Sequence, residues 1–244
     1  MRTLSIVIPA YNEEAFIGTL LEQILKVPIE SQGFRKEILV IDDGSKDRTR
    51  EVALAQAAKH DCIKVFTQVP NQGKGKAVQR GIAASTGEVV LIQDADLEYD
   101  PNDYPALLKT LSRADVVYGS RTLGQFQKQG WTLFPGRHAE QKFGPWLAGA
   151  LLTLWTFLLY GRWITDTLTA YKLYPGEAIR RMRIETKGFE TDHEITAKLI
   201  RGGHTLAEVP ISYHPRSAEE GKKIKASDGL IAVYTLLRFR FGGL

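Results

Sequence analysis

Asp94-Ala95-Asp96 directly follows the apolar run Val89–Gln93. Two carboxylates two residues apart point to the same side of an extended segment. At a strand end they can hold a hard divalent ion and leave room for diphosphate oxygens and water. Mg²⁺ or Mn²⁺ held there would neutralise charge building on a nucleotide diphosphate leaving group. A solvated turn carrying two acids is the other reading. Asp42-Asp43-Gly44-Ser45 closes a second apolar run. A carboxylate there can accept hydrogen bonds from a base N–H or from ribose hydroxyls. Ser45 or Asp47 can instead cap the next helix. Both can hold, because capping needs one side chain.

Three further clusters carry charge. Arg216, Lys222, Lys223 and Lys225 form a basic loop with Gly221 inside it. Arginine forks across phosphate oxygens and lysine acts as a point charge, and glycine gives such a loop freedom to close. Thr191-Asp192-His193-Glu194 opens a helix, where Asp192 is either a general base or a helix acid that positions an acceptor. His193 reads as structural, and Asp166 sits in a Thr-rich turn on the acceptor side. Asn71-Gln72-Gly73-Lys74-Gly75-Lys76 imitates a P-loop but fails as one. Pro70 stands where the first glycine belongs, and Ala77 stands where Ser or Thr would meet Mg²⁺. A glycine-rich helix entry remains.

The elements that must position these groups alternate. Leu4–Ile8, Glu37–Ile41, Ile63–Thr67, Val89–Gln93 and Asp115–Tyr118 read as short buried strands. Helices are expected between them: one capped by Asn12 with Glu13 and Glu14 in its first turn, one from about Asp47 to Lys59, one after Gly73–Lys76, and one at Pro101. Such alternation implies a mainly parallel, Rossmann-like α/β sheet with helices on both faces. Ligands then bind beyond the carboxyl ends of the strands, where the polar clusters 9–13, 42–45 and 94–96 all fall. The later chain adds a strand at Thr205–Ser212 and a final helix from near Ser227.

The 244 residues suit one α/β domain with an appendage. With 43% hydrophobic and 25% charged residues, a disordered or collagen-like chain is excluded. Cys62 is the one cysteine, so no intramolecular disulfide framework forms and a reducing compartment is expected. The first apolar run is too short for a signal-peptide core, which places the chain in the cytoplasm. Lys and Arg number 32 against 28 Asp and Glu, a net charge of +4. This mild excess suits phosphorylated ligands or an anionic membrane surface and does not call for nucleic acid.

Phe143–Gly161 contains no charged residue. As a helix, its roughly 18 apolar residues rise about 27 Å, just short of a ~30 Å hydrocarbon core. One crossing would put Asp94 and Arg216 on opposite sides of the membrane. If both serve one site, the segment lies in the membrane interface, where its Trp and Tyr belong, or packs as a buried helix under the sheet. The last helix, with Leu230, Val233, Tyr234, Leu237, Arg238 and Arg240, offers a basic amphipathic contact.

Ile6-Val7-Ile8-Pro9-Ala10-Tyr11-Asn12-Glu13, Val40-Ile41-Asp42-Asp43-Gly44-Ser45 and Asp94-Ala95-Asp96 resemble family-2 glycosyltransferases of the GT-A fold. Tyr118-Gly119-Ser120-Arg121, Thr165–Tyr171 and Glu208-Val209-Pro210-Ile211 resemble the polyprenyl-phosphate sugar synthases, the dolichol-phosphate mannose synthase group. The resemblance implies roles. Pro9, Tyr11, Glu13, Ile41 and Asp43 surround base and ribose. Asp94 and Asp96 bind metal and diphosphate with the Ala95 backbone beside them. Arg121, Arg216 and Lys223 face donor or acceptor phosphate. Glu98 stands where the family often has Gln, Glu190 where mannose synthases can carry a basic residue, and the 216–223 loop is longer than theirs. The expected activity is a Mg²⁺- or Mn²⁺-dependent, inverting transfer from a GDP- or UDP-sugar to a polyprenyl or dolichyl phosphate. It takes place peripherally at the cytoplasmic membrane face. Residues 1–225 form the catalytic domain (1–122 for the donor, 123–225 for the acceptor, with an apolar helix at 145–160), and 226–244 the amphipathic helix. The alternatives are a soluble glycan or protein hydroxyl as acceptor, with Asp192 as base, and a non-catalytic nucleotide-sugar-binding or membrane-scaffold subunit.

Overall fold

The computed structural model of the protein describes residues 1–130, 143–215 and 226–242. Arg2–Ala10 (β1) leads through Ile17–Lys26 (α1) to Phe34–Asp42 (β2), Thr49–Ala57 (α2), Ile63–Thr67 (β3), Lys74–Ala84 (α3) and Val89–Ile92 (β4). Tyr104–Thr110 (α4), Val116–Ser120 (β5), Arg121–Gln129 (α5) and Phe143–Tyr160 (α6) follow. Lys172–Pro175 (β6), Gly176–Arg181 (α7), Thr191–Arg201 (α8), Leu206–Pro210 (β7) and Ala226–Phe241 (α9) complete the order.

The strands make one sheet in the order β3-β2-β1-β4-β6-β5-β7. Its neighbours are parallel except where β6 meets β4 and β5. This is the expected mainly parallel sheet. Leu4, Ile6 and Ile8 of β1 pack with Ile17, Leu20 and Leu21 of α1 and Leu107 of α4 on one face. Val7 packs with Val78 of α3, Ile179 of α7 and Ile195 of α8 on the other. Both faces are covered, which is why β1 reads as an unbroken apolar run rather than an alternation.

Four local features depart from the expectations or add to them. Asn12 does not cap α1. Its backbone lies at φ +55°, its Oδ1 accepts from Lys46 N at 2.9 Å, and its own N–H donates to Ser45 Oγ at 3.1 Å. The loop after β1 is thus tied sideways to the loop after β2. Helix α1 starts later, at Ile17, and Glu13 and Glu14 precede its first turn. The antiparallel β6 was not legible: four residues beginning in Lys and ending in Pro show neither strand period nor strand length. Helix α5 follows β5 with no loop. Finally, α6 is not buried under the sheet. It packs on α9 and α8, burying Leu152 and Thr156 while Leu151, Leu154 and Leu158 stay exposed. Helix α9 buries Ala232, Leu236 and Phe239 and leaves Leu230, Tyr234 and Phe241 in solvent. No helix among the described residues is long and apolar enough to cross a membrane.

Candidate active site

The three polar clusters meet at the carboxyl edge of the sheet, after β1, β2 and β4. Gln93 anchors the Asp94-Ala95-Asp96 loop from below. Fully buried, it accepts from Tyr104 Oη at 2.7 Å and Tyr171 Oη at 2.6 Å, and its Nε2 donates to the Asp94 carbonyl at 2.9 Å. Beyond it, Glu98 N donates to Asp96 Oδ1 at 3.2 Å, and Leu97 sits at φ +60°. Among the described residues, only Asn12 and Leu97 are non-glycine residues at positive φ. Both lie on this edge, where strained backbone is characteristic of functional loops.

Lys74, the first residue of α3, was missed in the sequence because the glycine-rich run was weighed as a P-loop and then as a helix entry, and neither reading gives the lysine a partner. Its Nζ reaches Asp94 Oδ1 at 2.6 Å and lies 5.6 Å from the centre of the Phe189 ring. Burial works against its charge, but Asp94, Asp192 and Asp96 outweigh that and hold its pKa above the usual lysine value. The helix start is built by Asp43. This buried carboxylate accepts from Gln68 Nε2 at 2.5 Å, Gln72 N at 2.8 Å and Gly73 N at 2.9 Å. Gly75 then lets the 187–191 segment lie directly on α3, since a Cβ there would meet Thr191 Oγ1 at 2.2 Å and Lys187 C at 2.5 Å.

Among the residues expected around base and ribose, Tyr11 lines a recess of about 530 Å³, with Gly44, Ser45, Arg50, Thr67 and Asn71. Asp42 lines it too, its Oδ1 accepting from Ser45 N at 3.1 Å. Ile41 points into the core beneath α3. Glu13 is buried, with its N–H on Thr49 Oγ1 at 2.7 Å, and Pro9 is half-buried at the end of β1. Neither Ser45 nor Asp47 holds the cap position of α2, which is Arg48 with no side-chain cap bond; Asp47, one residue earlier, accepts from Thr49 N at 3.0 Å.

The second half assembles around Arg121. Its guanidinium forks onto Asp166, Nε to Oδ2 at 2.7 Å and Nη2 to Oδ1 at 2.8 Å, and its N–H donates to the same Oδ2 at 3.0 Å. The guanidinium carbon lies 4.9 Å from the centre of the Tyr213 ring. Glu208 of β7 holds the Thr165–Asp166 turn through Thr165 N at 2.9 Å, Thr165 Oγ1 at 2.8 Å and Asp166 N at 3.2 Å. Ser120 Oγ joins Thr165 Oγ1 at 2.7 Å. The motifs at 118–121, 165–171 and 208–211 are therefore one joint. Tyr213 Oη donates to Glu98 Oε2 at 2.8 Å, linking that joint to the Asp96 loop. Asp192 stands at the start of α8, and its carboxylate makes no hydrogen bond or ion pair among the described residues. Arg216 and Lys223 lie outside the described residues.

Asp94 and Asp96 are hard oxygen donors on a partly exposed loop. Such a pair fits a divalent cation that takes its remaining ligands from a diphosphate and water. No cluster of three or more His, Cys, Asp or Glu able to enclose a metal occurs among the described residues.

Residues 5–159 match the family described as Glycosyl transferase family 2. A dolichyl-phosphate beta-glucosyltransferase of Trichomonas vaginalis is 32% identical, over 95% of this chain and 71% of that protein. An undecaprenyl-phosphate mannosyltransferase of Micrococcus luteus is 30% identical over 91% and 87%. A dolichol-phosphate mannosyltransferase of Pyrococcus furiosus is 29% identical over 90% and 58%, so the chain spans little more than half of that relative. Among solved structures, glucosyl-3-phosphoglycerate synthase of Mycobacterium tuberculosis, in complex with Mn²⁺, UDP and phosphoglyceric acid, superimposes with a TM-score of 0.69. It is 23% identical, over the whole of this chain and 80% of that one. The motifs, the sheet and these likenesses agree: the chain is a glycosyltransferase of the GT-A fold and belongs to glycosyl transferase family 2.

Proposed function

We propose that the protein moves a sugar, with inversion, from a nucleotide diphosphate sugar to a polyprenyl phosphate at a membrane surface. One observation carries the choice of acceptor: apolar α6 runs beside the charged joint. At Gly149 of α6 a Cβ would lie 3.5 Å from Leu168 Cδ1, two residues beyond Asp166. Exposed Leu151, Leu154, Leu158 and Trp163 extend this surface, and Arg240 of α9, whose Nε donates to the Leu159 carbonyl at 2.6 Å, adds basic charge beside it. A lipid phosphate needs both features at once, an apolar bed and a cationic site. The relatives named for dolichyl and undecaprenyl phosphate support the same acceptor.

Tyr11 and the recess beside it take the nucleoside, with Pro9, Glu13, Ile41 and Asp43 shaping that side. Asp94 and Asp96, with the Ala95 backbone, would hold Mg²⁺ or Mn²⁺, which when bound neutralises charge on the departing diphosphate. Lys74 places a second cation against the same carboxylates. The acceptor phosphate oxygen bonds to the anomeric carbon as the bond to diphosphate breaks. A phosphate monoester has its second pKa near ~6 and is largely ionised at neutral pH, so it needs no protein base. The protein's work is in-line positioning and stabilisation of the leaving group, with Arg121, Arg216 and Lys223 facing phosphate. Domain limits follow the same division, with 1–122 for the donor, 123–225 for the acceptor, and α9 as the amphipathic addition.

The test is a screen of UDP- and GDP-sugars with polyprenyl phosphate in detergent and Mg²⁺ or Mn²⁺, read as glycolipid by mass spectrometry. A polyprenyl-phosphate sugar is expected. Nucleotide release with no glycolipid would overturn the acceptor. The unpartnered Asp192 carboxylate would then favour a hydroxyl acceptor with Asp192 as its base.

A further inference from the structure

Lys172 opens β6, in register with Tyr118 of β5, and none of it reaches solvent. Its ammonium has three protons to donate but makes one hydrogen bond, to the Thr167 carbonyl at 3.2 Å. It also lies 5.0 Å from the centre of the Tyr118 ring. Among the described residues no carboxylate forms an ion pair with it. Burying a cation without a close counter-charge costs several kcal/mol. Three polar atoms of residues close by in the chain or packed near it, Thr167 Oγ1, Tyr174 Oη and His193 Nδ1, are buried without a hydrogen-bond partner. Burial, then the charge of Lys172, push the His193 pKa down to about 3, so this imidazole is neutral and offers Lys172 no compensation.

The charges that act on Lys172 are those of the transfer site. Burial lowers its pKa; Asp192 and Asp166 oppose that, while Lys74 and Arg121 reinforce it. Asp94 pairs with Lys74 and Asp166 with Arg121. Its one hydrogen bond grips the carbonyl of Thr167, the residue after Asp166, so the buried cation is tied to the turn whose carboxylate Arg121 forks onto. We propose that Lys172 is a positioning residue of the transfer site: a buried cation that, through the Thr167 carbonyl, fixes the Asp166 turn and with it the Arg121 guanidinium toward the acceptor.

A lysine retained for the fold and a lysine retained for its charge predict opposite outcomes for Lys172→Met. Methionine keeps the length and apolar stem and removes the buried charge. Replacing a buried ion by an apolar side chain of similar volume is often neutral or stabilising. The expected result is a melting temperature equal to or above that of the unaltered protein, with kcat/KM for polyprenyl phosphate at least tenfold lower. Affinity for the nucleoside diphosphate in the presence of Mn²⁺, by calorimetry, stays within twofold. A melting temperature several degrees lower, or an insoluble chain, assigns the ammonium to the fold and overturns the inference. So does unchanged acceptor kinetics, or an equal loss of nucleotide affinity. The inference rests on the proposed reading for the choice of acceptor only. Unaltered protein that makes no glycolipid refutes that reading, and release of nucleotide from the donor then supplies the rate to compare.

Discussion

Carboxylates occur toward both ends of the strands, and Glu37 is treated differently from Asp94, Asp96 and Asp192. Toward the amino ends, Glu37 accepts from Ser5 Oγ at 2.5 Å, Thr86 N at 2.8 Å, Thr86 Oγ1 at 3.0 Å and Lys64 Nζ at 3.1 Å. Every donor there belongs to the protein, and both oxygens are used. At the carboxyl edge, Asp94 meets one lysine, Asp96 lies on a partly exposed loop, and Asp192 has no direct partner among the described residues. A carboxylate saturated by its own chain locks strands together. One left with spare lone pairs beside cations can still take a ligand.

Substitutions can break this contrast, and the largest effect belongs to the carboxyl edge. Asp96→Ala is expected to lower transfer on the order of 1,000-fold, as loss of a key charge-stabilising group does, with a melting temperature close to that of the unaltered protein. Near-normal turnover would remove Asp96 from the site. Asp166→Ala strips the counter-ion from Arg121 and should cost about 3 kcal/mol of stability, read as the urea midpoint, and transfer should fall with it. Gly75→Ala forces a Cβ against Thr191 and Lys187 and should cost about 2 kcal/mol, in the usual range for overpacking. Because the displaced segment covers Lys74, nucleotide affinity should weaken too.

The smallest effect sharpens the other side of the contrast. Glu37→Gln is expected to cost about 1 kcal/mol and to leave kcat unchanged. Burial alone would raise the Glu37 pKa, but the bonds from Ser5, Thr86 and Lys64 hold it below the ordinary carboxylate value of 4.5. Its stabilisation is therefore fully present above that value and is lost as pH falls through the lower folded pKa. Glu37→Gln should flatten this acid limb in melts taken between about pH 5 and pH 3. An unchanged limb would show that Glu37 does not carry it.

Much of this was readable in the chain. β1, β2 and β4 are buried on both faces over most of their length, and each ends in a polar cluster, so sequence position alone put 9–13, 42–45 and 94–96 at one edge. What escaped depended on distant contacts. Lys74 matters because a carboxylate twenty residues away turns toward it, and Gln93 because Tyr104 and Tyr171 converge on it. Lys172 lay in a strand too short to show a period. Asn12 looked like a cap by residue type, but its side chain was claimed by the neighbouring loop. Glu208 appeared as part of a motif without a reason, and the reason is the Thr165–Asp166 turn that it grips.

That grip reaches further than the site. The chain leaves the sheet at Arg121 and returns at Asp166, and the two residues clasp each other at 2.7 Å. Everything between, α5 and α6 included, is an excursion whose two ends are fastened at one point. The entropy of closing such a loop grows slowly, by only about 0.6 kcal/mol for each doubling of length. Lengthening the excursion between the clasp and α6 is therefore expected to cost little and to leave the strand register untouched so long as the clasp and the packing of α6 on α8 and α9 survive. If the chain divides into donor and acceptor halves as proposed, a fold built in this way can change the molecule that receives the sugar without rebuilding the half that delivers it.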